Sequence, residues 1–248
     1  MLNELILGLN PVSYWKLGEA SGDAVDTGGA GFDGTVTLGA GARASTPIDD
    51  EGDGSLTFDG AATFVSVPHQ ATLEADAFSI VALINCTAFS AAAIFSKGRA
   101  DLTQYYQCSI TAAGRLVFDI STSVTGFSRN TINAGAWLVA TEYLLAATYT
   151  SGAQTLSLTN LATGAVISGS AAAPTGTMVV NDTAFTIGAE TQAAVQSFFN
   201  GVIDEPAYFN FALSTAQIAA LATRAHAIWT RTTRHRREGR LLNGVTDE

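Results

Sequence analysis

The segment Ser55-Leu56-Thr57-Phe58-Asp59-Gly60, followed at once by Phe64-Val65-Ser66-Val67-Pro68, alternates apolar and polar side chains through two short runs. A period of two puts every second side chain on one face, the pattern of a strand with one side on a core. Phe199-Asn200-Gly201-Val202-Ile203-Asp204-Glu205 repeats it near the far end, and together these runs outline a two-sheet β-sandwich. Between them, runs at 12–17, 35–38, 78–85, 93–96, 105–111 and 115–121 read as strands. So do 143–149, 154–159, 165–168, 184–187 and 207–210, separated by Gly, Asn, Asp, Ser and Thr clusters. With many strands, no long helix before residue 213 and no fixed-period repeat, the expected fold is all-β, a two-sheet antiparallel jelly-roll sandwich over residues 1–213.

One helix is predicted. Ser214 caps its start and Gln217 completes a capping box. Ile218, Leu221, Ala225, Ile228 and Trp229 then share a face, and Gly239 and Gly244 mark the end. Residues 214–248 form a short C-terminal helix and basic tail, read as a functional unit apart from the sandwich.

Charge divides along the same line. Residues 1–223 carry 6 Lys+Arg against 19 Asp+Glu, a balance of −13, whereas residues 224–248 carry 6 Arg against 3 acids, a balance of +3. The body repels nucleic acid within a Debye length of about 8–10 Å. The tail has three readings: a solvated end, a phosphate-binding arm, or a docking element for a protein partner. Arginine forks suit carboxylates, and docking through Trp229, Arg231, Arg234, Arg236, Arg237 and Arg240 to an acidic protein surface, a neighbouring copy included, is the expected role. No run of 18 apolar residues exists, so no membrane insertion is expected. The Met1–Gly8 start lacks the basic residues and cleavage site of a signal peptide, which predicts a protein kept in the cytoplasm or assembled there into a particle.

Catalytic and cofactor patterns are weak. Glu51-Gly52-Asp53 and Glu74-Ala75-Asp76 begin the Glu-x-Asp-x-Glu arrangement that sets two carboxylates across a glycosidic bond, but neither has the second Glu. His69, His226 and His235 are far apart in sequence, and no Gly-x-Ser-x-Gly elbow is present. Gly29-x-Gly31-x-x-Gly34 matches a dinucleotide fingerprint by letter yet leads into a strand-like run, so it reads as a loop. Asp49-Asp50-Glu51-Gly52-Asp53-Gly54 starts like a calcium-binding loop but has Gly60 at the position of the bidentate Glu, and reads as a solvated acidic turn. Cys86 and Cys108 are expected as half-buried thiols, with a bridge between them open only if their strands are neighbours. A non-enzymatic protein is expected.

Tyr105, Tyr106, Trp137 and Tyr143 are candidates to stack against sugar rings, and alternation puts Tyr105 and Tyr106 on opposite faces.

Pro11-Val12-Ser13-Tyr14-Trp15-Lys16-Leu17-Gly18-Glu19, Phe58-Asp59-Gly60, Phe78-Ser79-Ile80, Ile94-Phe95-Ser96-Lys97-Gly98 and Ile203-Asp204-Glu205 followed by Ala212-Leu213-Ser214 resemble, in this order, the concanavalin A-like lectin/glucanase superfamily in its laminin G-like branch. The resemblance covers about residues 10–222. It implies two packed antiparallel sheets with a closing helix and, in many members, sugar binding on the concave face. Similar modules occur on bacteriophage tails, fibres and capsids, which implies a virion protein whose sandwich faces outward and whose C-terminal segment docks to other virion proteins or to itself. The alternative is a carbohydrate-binding lectin, for host-surface glycans, supported by Ca²⁺. The resemblance places a structural Ca²⁺ on Asp204 and the Gly60 carbonyl; an outward-pointing Asp204, or one paired with Arg115, is the other reading. The family's His residues before its central strand are missing from Glu142-Tyr143-Leu144-Leu145-Ala146-Ala147-Thr148-Tyr149-Thr150, as is the Asp that normally ends it.

Overall fold

A computed structural model describes residues 1–45, 48, 54–98, 105–122, 126–178, 182–191 and 195–243. The chain opens with α1 (Leu2–Gly8), then β1 (Ser13–Tyr14), β2 (Thr35–Thr37), β3 (Ala42–Ser45), β4 (Ser55–Asp59) and β5 (Phe64–Val67). Next come β6 (Ala77–Cys86), β7 (Ala92–Lys97), β8 (Tyr105–Ile110), β9 (Leu116–Thr122), β10 (Gly126–Ile132), β11 (Glu142–Thr150) and β12 (Ala153–Asn160). It ends with β13 (Val166–Ala172), β14 (Phe185–Ile187), β15 (Glu190–Thr191), β16 (Val195–Gln196), β17 (Asn200–Phe209) and α2 (Thr215–Asn243).

The strands form two antiparallel sheets. One has eight strands in the order β13-β12-β11-β6-β17-β4-β3, with β1 also on β17; the other has seven, in the order β10-β9-β8-β7-β14-β5-β2. The long central strands are nearly all apolar because both of their faces are covered: Phe78, Ile80, Ala82 and Ile84 of β6 face the other sheet, while Val81 and Leu83 face the helices. Phe78 sits at the centre of the sandwich, with ring centroids 4.5 Å from Tyr106, 5.5 Å from Tyr149, 5.7 Å from Tyr208 and 6.1 Å from Phe118. Such tilted and offset aromatic pairs add to the burial of a large apolar area.

A second apolar cluster lies outside the eight-stranded sheet. Leu2 and Ile6 of α1 and Leu221, Ala222, Ala225 and Ile228 of α2 pack there on Val81, Leu83, Leu144, Ala146, Ala207 and Phe209. The capping box forms: the Gln217 amide donates to Ser214 Oγ at 3.3 Å and the Ser214 amide donates to Gln217 Oε1 at 2.8 Å. Helix α2 passes Gly239 and runs to Asn243. A single interior glycine costs only about 1 kcal/mol against alanine, and the surrounding arginines are good helix formers. Helix α1 and strands β3, β10, β15 and β16 were not anticipated from the sequence pattern. The first is a seven-residue element held by tertiary burial of two side chains, and the strands are polar or very short.

Pro206 falls where β17 sets two residues, Glu205 and Pro206, against the single Ala82 of β6. The extra residue is a β-bulge, a place where a residue without an N–H does no harm to the ladder. Its other occupant, Glu205, adopts φ 56°. Cys86 and Cys108 are both free and buried, one on each sheet, so neighbouring strands do not bring them together. At Gly188 the backbone has φ 81°, and a Cβ there would lie 2.1 Å from the Phe58 ring. Only glycine fits both the conformation and the space.

Phe78→Ala should cost about 3–5 kcal/mol, the usual loss for deleting a buried aromatic ring. Chemical denaturation of the variant beside the parent measures this. A loss below about 1 kcal/mol would mean the central aromatic column carries little of the sandwich.

Candidate functional site

Strand register assembles a polar row across the outer face of the seven-stranded sheet. Thr35 pairs with Ser66, Ser66 with Thr186, Thr186 with Ser96, Ser96 with Gln107, Gln107 with Asp119, and Asp119 with Arg129. Directly paired residues share a face. The neighbours of Gln107 and Asp119, namely Tyr106, Cys108, Phe118 and Ile120, fill the core, so alternation turns the row outward. The row is not uniformly open. Thr186, Ser96 and Gln107 are buried, and the β15–β16 hairpin, tied down where the Ala93 amide donates to the Ser197 carbonyl at 2.8 Å, stands beside them.

The open end lies at β9 and β10. Arg129 Nε and Nη2 each donate to the Asp119 carboxylate at 2.7 Å, a two-point contact that fixes the guanidinium plane. The Asp119 side chain is only 3% exposed, whereas that of Arg129 is 48% exposed. The Arg129 guanidinium carbon lies 5.2 Å from the centroid of the Phe127 ring, and Phe127 is 53% exposed on its strand. Burial pushes the Asp119 carboxyl up from its usual range, Arg129 opposes this, and the nearby Glu190 carboxylate adds to the rise. Phe127 also borders an open cleft of about 390 Å³ with Ser128 and residues 172–175. The cleft lies over a seam between the two sheets, where Ser128 Oγ donates to the Ala172 carbonyl at 2.5 Å and Asn130 Nδ2 donates to the Gly169 carbonyl at 2.9 Å.

Three of the four aromatics expected to stack on a sugar do not reach this face. Tyr106 and Trp137 are core residues: the Tyr106 hydroxyl donates to the Leu73 carbonyl at 2.7 Å and Trp137 Nε1 donates to the Gly114 carbonyl at 3.0 Å. Tyr143 is buried too, and its hydroxyl accepts from the Leu138 amide at 3.0 Å. Aromatic rings with a satisfied polar tip are good core material, and none of the three is available to stack on a sugar. The Tyr105 backbone pairs with Ser121, which puts it in the register row beside Phe127, while its side chain lies outside the described residues. Phe127 and Arg129 were missed because Gly126-Phe127-Ser128-Arg129-Asn130-Thr131-Ile132 has no apolar alternation, and Asp119, inside the expected strand 115–121, gains its role only from that unseen neighbour. The exposed aromatic two positions before an arginine was the available signal.

Gly60 and Asp204 do not come together. The Gly60 amide donates to the Phe199 carbonyl, five residues along β17 from Asp204, which is about 17 Å of strand. One ion cannot take both as ligands, and among the described residues no cluster of three His, Cys, Asp or Glu is arranged around a common point. Asp204 is fully buried and its Oδ2 accepts from the Ile48 amide at 2.9 Å; it neither points outward nor reaches for Arg115. The acidic run 49–53 lies outside the described residues. Asp59, beside Gly60, organises its own turn. Against the cost of its burial, the amides of Ala61, Ala62, Thr63 and Ala40 hold its carboxyl well below the usual range. The glycine-rich segment 28–34 wraps a carboxylate rather than a phosphate: Asp26 accepts from the amides of Tyr14, Gly28 and Phe32.

On α2, Trp229 is half-buried against the outer cluster, and Arg231 and Arg234 are exposed. Arg236, Arg237 and Arg240 are helical, with side chains outside the described residues. No helix among the described residues is long and apolar enough to cross a membrane.

Two interior ionisable groups complete the electrostatics. Lys97 pairs in register with the core residues Phe185 and Tyr106, and its ammonium bonds the Glu74 carboxylate and the Thr183 carbonyl. Burial pulls the lysine down while Glu74 holds it up. Glu205, in the β17 bulge, is 1% exposed, and burial pushes its carboxyl up to about 8. A raised carboxyl pKa means the folded state holds a proton that the unfolded chain releases near 4.5. The neutral form therefore favours folding at low pH, and stability falls as pH rises from about 4.5 to about 8. Glu205→Gln should flatten that fall, measured as the melting temperature across pH 5 to 9 in parent and variant; equal slopes would place the charge cost elsewhere.

Residues 59–219 match the family described as the concanavalin A-like lectin/glucanases superfamily. No curated protein matches the chain. Among solved structures, domain 4 of AbnA, a GH43 extracellular arabinanase from Geobacillus stearothermophilus solved with arabinotriose, is similar at 17% identity and TM-score 0.61, covering 86% of this chain and 98% of that one. The binding domain of botulinum neurotoxin DC, solved in complex with SialylT, is similar at 12% identity and TM-score 0.60 over 88% of this chain and 52% of that one. Tailspike protein 2 from Escherichia coli O157:H7 bacteriophage CAB120 is similar at 15% identity and TM-score 0.51 over 70% of this chain. This chain spans 24% of the tailspike's length. A matched stretch of 161 residues in 248, carried on two packed antiparallel sheets, makes this chain a member of the concanavalin A-like lectin/glucanase superfamily.

Proposed function

We propose that the chain is a non-enzymatic recognition module that binds carbohydrate on the outer face of the seven-stranded sheet, around Phe127, Asp119 and Arg129. The observation that carries this reading is the exposed Phe127 ring beside a half-exposed, rigidly held arginine. A sugar ring offers an apolar C–H face and a rim of hydroxyls. Phe127 meets the first, and the guanidinium meets the second with directional donors. Membership of a lectin-like superfamily and fold likeness to a domain solved with arabinotriose support the same reading. Glycoside hydrolysis needs two carboxylates facing across the scissile bond, and Asp119 is instead committed to Arg129.

A glycan array on the full chain tests the proposal. Saturable binding to a defined glycan class is expected, with a loss of roughly tenfold or more in Phe127→Ala, about the 1–3 kcal/mol that an aromatic stack contributes. Binding that survives both Phe127→Ala and Arg129→Ala would move the site off this face.

The second reading concerns mounting. The basic end of α2 fastens the sandwich to a phage particle, with the −13 body held outward and the arginines seated on acidic carboxylates of a virion protein or a second copy. The packed part of α2 extends through Ile228 and Thr232, so a cut must fall beyond it. Removing residues 235–248 should leave the melting temperature within a few degrees of the parent while abolishing incorporation into particles or self-association. Normal assembly of the truncated chain would refute the docking role.

A further inference from the structure

We infer that the Phe127 face selects neutral glycans over acidic ones, and that Asp119 is the residue that imposes this choice by occupying the fork of Arg129. The inference rests on the carbohydrate-binding reading and names its ligand class. An arginine fork on an exposed aromatic face is what a carboxylate-bearing sugar, such as a sialic or uronic acid, would engage with two parallel hydrogen bonds. Here both fork nitrogens already donate at 2.7 Å to Asp119, whose side chain is 3% exposed and so is not displaced by a ligand from solvent. A second carboxylate arriving there finds one edge of the guanidinium in use and its charge already offset by a buried partner.

It also meets negative charge. Glu190, 6% exposed and fixed by Ser197 Oγ at 3.0 Å, lies close enough to act electrostatically on Asp119. The surrounding body carries −13 over residues 1–223. A ligand carboxylate arriving at this exposed edge is repelled at low salt, and the repulsion weakens as salt rises. A neutral sugar avoids both costs and keeps the contact with Phe127 and the outer edge of the guanidinium. Asp119 is therefore a specificity-determining residue: it pins one edge of Arg129, whose guanidinium carbon lies 5.2 Å from the Phe127 centroid, and offsets the charge that would otherwise draw an anion.

The test compares matched oligosaccharides that share one neutral core, with and without a terminal sialic or glucuronic acid. Binding to the full chain is measured at 50 mM and 500 mM NaCl, for the parent, Asp119→Asn and Arg129→Gln. The parent should bind the neutral member at least tenfold more tightly at low salt, with the gap shrinking at high salt as repulsion is screened. Asp119→Asn, which frees the fork, should close or reverse the gap. Arg129→Gln should weaken neutral binding and gain nothing for the acid. Where Asp119→Asn does not fold, as its melting curve would reveal, the salt dependence of the parent decides alone. Equal or tighter binding of the acidic member by the folded parent overturns the inference and leaves the carbohydrate reading standing. Binding to neither member, nor to any glycan on the array, overturns that reading and this inference with it.

Discussion

The inward commitment of the aromatic column around Phe78 governs the rest of the molecule. Once Tyr106 and Phe118 turn in to meet Phe78, the two-residue period turns Gln107 and Asp119 out. Pairing across β8, β9 and β10 then carries the choice to Arg129 and Phe127. A slip of one residue would bury the charged row and expose the rings, at a cost no surface contact could recover. The polar face is thus the reverse side of the core.

The two outer faces of the sandwich answer different demands. Val81, Leu83, Leu144 and Phe209 make the back of the eight-stranded sheet apolar, and α1 and α2 cover it. The seven-stranded sheet presents Thr, Ser, Gln, Asp and Arg instead, with the β15–β16 hairpin beside the buried middle of the row and Thr35 and Arg129 exposed at its ends. Placing the helices on one side leaves the outer face of the seven-stranded sheet without helical cover.

Much of this was legible in the sequence. The strands from β4 to β9 and from β11 to β14 follow alternation or runs of β-branched and aromatic residues, and the Ser214–Gln217 box marks the start of α2. The site was not legible, for two physical reasons. Counting aromatics favoured Tyr106, Trp137 and Tyr143, but a ring's exposure depends on which face its strand buries, and that is a property of the paired sheet. Strand β10 owes its existence to the ladder with β9 and to side-chain bonds reaching β13, so its own residues carry little strand signal. Asp204 illustrates a related difficulty: a buried carboxylate in a strand reads as a metal ligand, yet here it accepts a hydrogen bond from the backbone of a segment 156 residues away in the chain.

The seam between β10 and β13 has a consequence for crowding. Both are terminal strands of their sheets, and an unpaired strand edge invites pairing with another molecule. Asn130 and Ser128 spend their donors on the Gly169 and Ala172 carbonyls, so each sheet's rim is stitched to the other's. Along this side β13 has carbonyls already engaged, which leaves fewer open acceptors for an incoming strand. A second copy meeting this side finds side chains and engaged carbonyls before open backbone.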